Sequence, residues 1–242
     1  CEDELIKKII KLGFVESLLA VAEAKERKTL SKTDGKKVVR LSIPKLDDAN
    51  KAGTSESLKC TLILTEGDSA KTTAVSGLSV VGRDYYGVFP LRGKLLNTRE
   101  ASFSQISKNE EILNIKKILG LQTDTKEVKN LRYGKILIMT DADYDGFHIK
   151  ALLINFIDAG WPHLLEDIFI GSILTPIVKA SKGKDQLAFY THKEYLNWKD
   201  SPQSSGNWNI KYYKGLGTST SAEAKEYFKN LKILNYVNYT KE

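Results

Sequence analysis

The sequence predicts an α/β fold in which helices flank a mainly parallel sheet, and two observations support this class. Residues 61–65 and 135–140 are short runs of apolar and β-branched residues without polar alternation, as expected for strands that are buried on both faces. Each run leads through an acidic turn into a stretch with helical spacing, the second of which is predicted to be a helix over residues 148–159; this is the order found in parallel sheets covered by helices. Ligands of such sheets bind beyond the carboxyl ends of the strands, where both acidic turns lie.

The composition is that of a folded globular chain. Of 242 residues, 41% are apolar and 28% are charged, which excludes a mainly disordered protein. No apolar run reaches the ~18 residues of a membrane-spanning helix, so no membrane partner is expected. Cys1 and Cys60 are far apart and form no CxxC pair, so neither a disulfide framework nor a zinc site is predicted. The net charge of +7 favours polyanionic partners such as nucleic acid.

The remaining elements follow in order along the chain. Residues 4–26 have helical spacing, and the lysine-rich residues 27–53 are predicted to be a linker. A second helix is predicted over residues 110–121. Because residue 1 is Cys rather than Met, the chain is expected to be a piece of a longer polypeptide.

The character of the sequence changes after residue 170. Residues 173–178 and 186–190 flank a polar turn at 181–185 and are predicted to form a hairpin, and Thr220 with Glu223 fits a capping box that begins a helix through residue 231. The predicted organisation is therefore a helical and linker segment, an α/β core, and an α+β extension, in that order: residues 1–54, 55–170 and 171–242.

The most informative local pattern is three carboxylates at alternate positions directly after an apolar strand: Asp141, Asp143 and Asp145. Clustered carboxylates repel one another, and a bound cation relieves that repulsion. The alternative is a solvated acidic turn. An EF-hand loop is excluded, because the Glu required at its twelfth position is Leu152 here.

Glu66 ends the other apolar strand. If the two strands are neighbours, Glu66 lies across a crevice from Asp141 and Asp143, and the three side chains form an all-oxygen site suited to Mg²⁺ and phosphoryl transfer. The alternative for Glu66 is a carboxylate that is stabilised in the first turn of a helix by the helix dipole.

Basic and polar residues near these turns are candidates for contacts with nucleic acid. Positive side chains beside glycines suit contacts with phosphate, although each segment taken alone is better explained as a solvated loop. The candidates are Arg92, Lys94, Asn97, His148, Lys150 and Lys214.

Four motifs in the same order resemble the Toprim region of type IIA DNA topoisomerases, over roughly residues 44–230. They are Glu66-Gly67-Asp68-Ser69-Ala70, Pro90-Leu91-Arg92-Gly93-Lys94-Leu95-Leu96-Asn97, Asp141-Ala142-Asp143-Tyr144-Asp145-Gly146 and Tyr213-Lys214-Gly215-Leu216-Gly217-Thr218-Ser219. The residues before the second motif and after the fourth resemble the eukaryotic rather than the bacterial enzymes. Residues 1–54 resemble the end of the transducer that precedes Toprim in this family.

The resemblance implies a function. In this family Glu66, Asp141 and Asp143 would bind Mg²⁺ beside the scissile phosphate, Asp145 would contribute to a second ion, and Glu66 would relay a proton. Lys94 and Asn97 match positions that contact DNA. The implied protein is a nuclear, homodimeric, ATP-dependent enzyme that acts on double-stranded DNA. Its nucleophilic tyrosine and ATP site would lie in other domains, so the fragment itself is expected to be inactive.

Four positions depart from the family pattern: Thr98, Ala142, Phe147 and Ala151 stand where Val, Gln, Ser and Gly are common. None is an implied ligand, but Phe147 replaces a hydroxyl beside the site. Two alternatives remain open at this point. One is another Toprim enzyme, a primase or nuclease, although the second and fourth motifs argue against it; the other is a basic DNA-binding module whose acidic turn is only structural.

Overall fold

A five-stranded sheet forms the centre of the molecule and confirms the predicted α/β class. The computed structural model describes residues 13–166 and 169–237. The strand order is β2-β1-β3-β4-β8, with parallel pairing from β2 to β4 and an antiparallel β8 at the edge. The strands are β1 (Thr61–Glu66), β2 (Tyr86–Leu91), β3 (Lys135–Met139), β4 (Ile170–Leu174), β5 (Val178–Lys182), β6 (Asp185–Phe189), β7 (Asn209–Tyr212) and β8 (Lys232–Tyr236).

Helices cover both faces of this sheet. The α-helices are α1 (Phe14–Ser31), α2 (Gly67–Val81), α3 (Phe103–Lys108), α4 (Glu110–Leu119), α5 (Tyr144–Gly160), α6 (His192–Lys199) and α7 (Ser221–Lys229). Short 3-10 turns lie at Ser57–Lys59, Val128–Asn130, Pro162–Leu165, Pro202–Ser204 and Leu216–Thr218. None of the helices in the described part of the chain is long and apolar enough to cross a membrane.

Strand β1 shows why the sheet is buried on both sides. Leu62 and Leu64 belong to one core cluster, together with residues of α4 and α5, whereas Ile63 belongs to a second cluster with residues of α2 and α7. Successive side chains of a strand point to opposite faces, so the consecutive apolar residues 62–64 of β1 fill two cores at once. The predicted parallel strands are therefore correct.

Helices α2 and α7 approach each other closely on the second face. A Cβ atom at Gly77 of α2 would lie 2.1 Å from a ring carbon of Phe228 in α7. A helix from the C-terminal extension thus covers the helix that follows β1, and the extension completes the core rather than standing apart from it.

The segment predicted to be a linker is instead packed against the core over much of its length. Helix α1 continues to Ser31, while the predicted helix before residue 13 lies outside the described residues. Ala49 and Ala52 are buried. The carboxylate of Asp48 accepts hydrogen bonds from Arg132 and Tyr133, both fully buried. The linker prediction is wrong here because small and charged side chains make these contacts. The boundary at residue 54 stays a prediction.

The C-terminal extension contains the predicted hairpin and helix, with a different first arm of the hairpin and with further elements that the sequence did not predict. The hairpin is formed by β5 and β6 around Gly183 (φ 61°), and β7 pairs with the other side of β5. The predicted first arm, residues 173–178, is wrong: residues up to 174 belong to β4 in the main sheet. The strands β6, β5 and β7 form a separate three-stranded sheet. An aromatic cluster of Phe189, Tyr195 and Trp198 holds α6 against it.

Candidate metal and nucleic-acid site

The two predicted acidic segments meet at one edge of the sheet. Glu66 is the last residue of β1, and Asp141 follows the neighbouring strand β3 by two positions. Parallel neighbours end on the same side, and the Glu66 carboxylate accepts a hydrogen bond from the Asp141 backbone N–H, with Oε2 3.2 Å from N. Two segments that are 75 residues apart in sequence are therefore in direct contact.

Asp143 determines where helix α5 begins. It is the N-cap residue, and its Oδ1 accepts a hydrogen bond from the Gly146 N–H at 2.8 Å. Aspartate is among the preferred N-cap residues because it satisfies a free amide of the first turn. The helix consequently begins at Tyr144, not at residue 148 as predicted, and Asp145 lies in its first turn.

Asp141 is held by a loop that the sequence did not connect to it. The Leu216 N–H donates to Asp141 Oδ1 at 2.7 Å. The neighbouring Gly215 approaches so closely that a Cβ atom there would lie 2.3 Å from Asp141 Oδ2. The loop of residues 213–219 is thus part of the acidic site; the sequence identified it as the fourth motif but did not link it to Asp141.

Glu223 anchors the same loop from helix α7. Its carboxylate accepts hydrogen bonds from Tyr213, from Lys211 Nζ (2.8 Å) and from the backbone of Thr220 (2.7 Å). Burial opposes ionisation of Glu223, but these donors outweigh it and hold its pKa at about 2. The capping box of Thr220 and Glu223 is present as predicted, and it also fixes the loop that contacts Asp141.

The carboxylates at this edge influence one another's ionisation. Burial raises the pKa of Glu66, and the charges of Asp141, Asp143 and Asp145 raise it further, against the lowering effect of the Asp141 N–H. Lys150 has a lowered pKa because it is half-buried, although the Glu66 and Asp143 carboxylates oppose this shift. Repulsion of this kind favours a proton or a cation among the carboxylates.

The donor set fits a hard divalent ion, because all of its members are carboxylates at one sheet edge. The described residues nevertheless contain no group of three or more acidic, His or Cys side chains close enough to hold an ion. Asp141 and Asp143 each direct one oxygen to a backbone N–H, and Asp145 pairs with Lys94. The assignment of Glu66, Asp141, Asp143 and Asp145 as ligands therefore stays a prediction.

The second motif lies beside these carboxylates. Lys94 Nζ is 2.8 Å from Asp145 Oδ1, and this pair lowers the pKa of Asp145. Arg92 pairs with Glu110 at 2.8 Å. Asn97 Oδ1 accepts a hydrogen bond from Asn155. An open cleft of about 410 Å³ starts at Glu66 and is lined in part by Arg92.

The other predicted contact residues are accessible. His148 and Lys214 are exposed, and Lys150 places its Nζ 4.9 Å from the centre of the Phe147 ring. Exposure and ion pairs do not test contact with nucleic acid, so the six predicted contacts stay predictions.

Two of the departures from the family pattern have structural effects. Phe147 is 62% exposed on the first turns of α5. The Thr98 hydroxyl is buried and has no hydrogen-bond partner among the described residues, so Thr in place of Val adds an unsatisfied polar atom. Ala142 and Ala151 are exposed, and nothing in the structure explains these two substitutions.

Comparison with known families agrees with this geometry. A model described as "Toprim domain" matches residues 61–173, and one described as "C-terminal associated domain of TOPRIM" matches residues 173–241. The chain therefore contains a Toprim domain followed by the domain associated with it. Toprim domains of topoisomerases bind Mg²⁺, and the two matches together span the acidic edge and the loop that contacts it.

Eukaryotic topoisomerases are among the relatives of this chain. It is 57% identical over 235 residues to "DNA topoisomerase 2" of Drosophila melanogaster and 58% identical over 237 residues to human "DNA topoisomerase 2-alpha". Each match covers 95% of this chain but 16% of the relative. A crystal structure of the Plasmodium falciparum "topoisomerase II DNA-binding, cleavage and re-ligation domain" matches with a TM-score of 0.73 and 55% identity, over 79% of this chain and 26% of that one.

Proposed function

We propose that this chain supplies the Mg²⁺-binding acidic site at which a type II topoisomerase transiently cleaves and reseals both strands of DNA. The observation that carries the proposal is the contact between Glu66 and Asp141 at the carboxyl ends of β1 and β3. It supports a phosphoryl-transfer site because carboxylates from separate strands meet where the fold binds ligands.

Each residue has a role in this proposal. Glu66, Asp141 and Asp143 would hold a Mg²⁺ ion and Asp145 would contribute to a second one; a bound ion polarises a phosphate oxygen and neutralises developing charge. Glu66 relays a proton to and from the 3′ oxygen of the broken strand.

The DNA contacts form the second part of the proposal. Lys94 pairs with Asp145, and Arg92 lines the cleft at Glu66. Asn97, His148, Lys150 and Lys214 complete the proposed contact set, with Asn97 bonded to Asn155 farther along α5. Positive side chains around the carboxylates would position the phosphates without reading sequence.

The whole protein would be a nuclear homodimer that uses ATP to pass one DNA duplex through another. This extends the names of the relatives, DNA topoisomerase 2, to the present chain, and it places the ATP site and the nucleophilic tyrosine in domains other than this one.

Calorimetric titration of Mg²⁺ tests the metal site. In Asp141→Asn/Asp143→Asn the side-chain oxygens still accept the bonds from Leu216 and Gly146 but the charges are lost. We expect a saturable heat for the wild type and none for this variant. The exposed Asp124 lies elsewhere in the chain, so Asp124→Asn serves as the control and should titrate like the wild type.

The bonds from Leu216 and Gly146 to the acidic turn are also what a purely structural turn would make, which keeps the non-catalytic DNA-binding module as the second candidate. Unchanged heats in the double variant would favour that module. DNA binding that weakens with salt is expected under both functions and does not separate them.

A further inference from the structure

Two aromatic side chains stand exposed at the start of helix α5, directly after the acidic N-cap Asp143. Tyr144 is 93% exposed and Phe147 is 62% exposed. They are three positions apart, so they lie on neighbouring parts of one helix face. Together they form an aromatic pair on the rim of the acidic site.

The aromatic pair has no role in the core. The buried side of α5 is formed by other residues, among them Gly146, Ile149 and Leu153. A tyrosine that is 93% exposed makes few contacts with its own chain and contributes little to folding. Adjacent exposed apolar groups of this kind mark a surface that binds something.

The positively charged side chains beside the two rings indicate which kind of ligand binds there. Lys150 Nζ lies 4.9 Å from the centre of the Phe147 ring, His148 next to it in sequence is exposed, and Lys94 neutralises Asp145, the residue that follows Tyr144. Cations interleaved with accessible aromatic faces suit a ligand that carries both negative charge and flat rings. A nucleic-acid strand has this chemistry.

We propose that Tyr144 and Phe147 stack on an unpaired base of the DNA strand at the acidic site. The inference rests on the proposed function, since DNA must reach the acidic edge. Stacking on a ring face is tolerant of sequence, so the aromatic pair would fix the position of the strand more than its sequence. The rings are rigid and lie on a helix, which suits positioning.

Fluorescence anisotropy with the complete 242-residue chain tests this. The probes are a labelled duplex with a short single-stranded gap and the same duplex with abasic nucleotides in the gap, at one salt concentration. We expect Tyr144→Ala and Phe147→Ala each to weaken binding to the normal gap by about 5-fold or more, the lower end for removal of one base–aromatic stack. Both should match the wild type on the abasic probe. Tyr144→Phe keeps the ring and should bind like the wild type.

Phe103→Ala is the matched control, because this phenylalanine is 41% exposed on a different helix. Equal binding by wild type and alanine variants, equal losses on both probes, or an equal loss in the control would each overturn the inference. So would a loss that sedimentation traces to altered self-association. Those results leave the proposed function standing, whereas a wild type that binds neither probe overturns both.

Discussion

Replacement of Gly215 by alanine tests the contact that holds Asp141. Gly215 has φ −169°, which any residue adopts, so the backbone tolerates the change. The added Cβ would lie 2.3 Å from Asp141 Oδ2, and the carboxylate must move. It then loses the Leu216 N–H bond of 2.7 Å, which as a bond to a charged group contributes about 1.5–3 kcal/mol. Lower entropy of the unfolded chain returns about 0.4–1 kcal/mol. We expect a net loss of about 1–2 kcal/mol in the free energy of unfolding.

Gly217→Ala is the control in the same loop, since a Cβ there meets nothing within 4 Å. Urea denaturation followed by circular dichroism should show Gly217→Ala equal to the wild type or more stable by up to about 1 kcal/mol. Equal midpoints for the two alanine variants would refute the reasoning, because the two positions differ in their contact with Asp141.

Three further changes are predicted to alter stability. Asp48→Ala leaves the buried Arg132 without its carboxylate and should lower the free energy of unfolding by about 3 kcal/mol in urea denaturation. Gly77→Ala forces a Cβ into the Phe228 ring and should cost about 1–3 kcal/mol by the same assay. Glu223 has a lowered pKa of about 2, so its contribution is complete above its ordinary pKa of 4.5 and is lost as the pH falls toward 2. Glu223→Gln should therefore be less stable than the wild type near neutrality, with a gap that closes over that range in a pH series.

Controls for these changes come from the same chain. Gly160→Ala, in a helix with nothing within 4 Å of the new Cβ, should be neutral or slightly stabilising. A Gly77→Ala variant that behaves like Gly160→Ala would contradict the packing argument. A difference between Glu223→Gln and the wild type that is the same at every pH would contradict the linkage argument.

The elements with a strong local signal were predictable. Strands β1 and β3 follow from unbroken apolar runs, and their parallel pairing brings Glu66 to Asp141 as the sequence suggested. Strand β2 gave no such signal, because Gly87 and Pro90 lie within it. It is nevertheless an edge strand of the sheet, where proline is tolerated.

The contacts that the sequence did not reveal join distant segments through small or polar groups. The bonds from Arg132 to Asp48 and from Leu216 to Asp141 span 84 and 75 residues. Neither involves a hydrophobic pattern, which is the signal that sequence analysis depends on. The start of α5 was misplaced for a related reason, because Asp143 was interpreted only as a possible ligand and not as the N-cap.

The return of the chain to its own central sheet has a practical consequence for protein production. A truncated product that stops at residue 173, where the first family match ends, would lack β8 and α7. Its β4 would present unpaired backbone groups at a new edge, and Ala74 and Leu78 would lose their cover. Exposed edges of this kind recruit other chains, so we expect such a product to aggregate, whereas one that extends through residue 237 should remain dispersed.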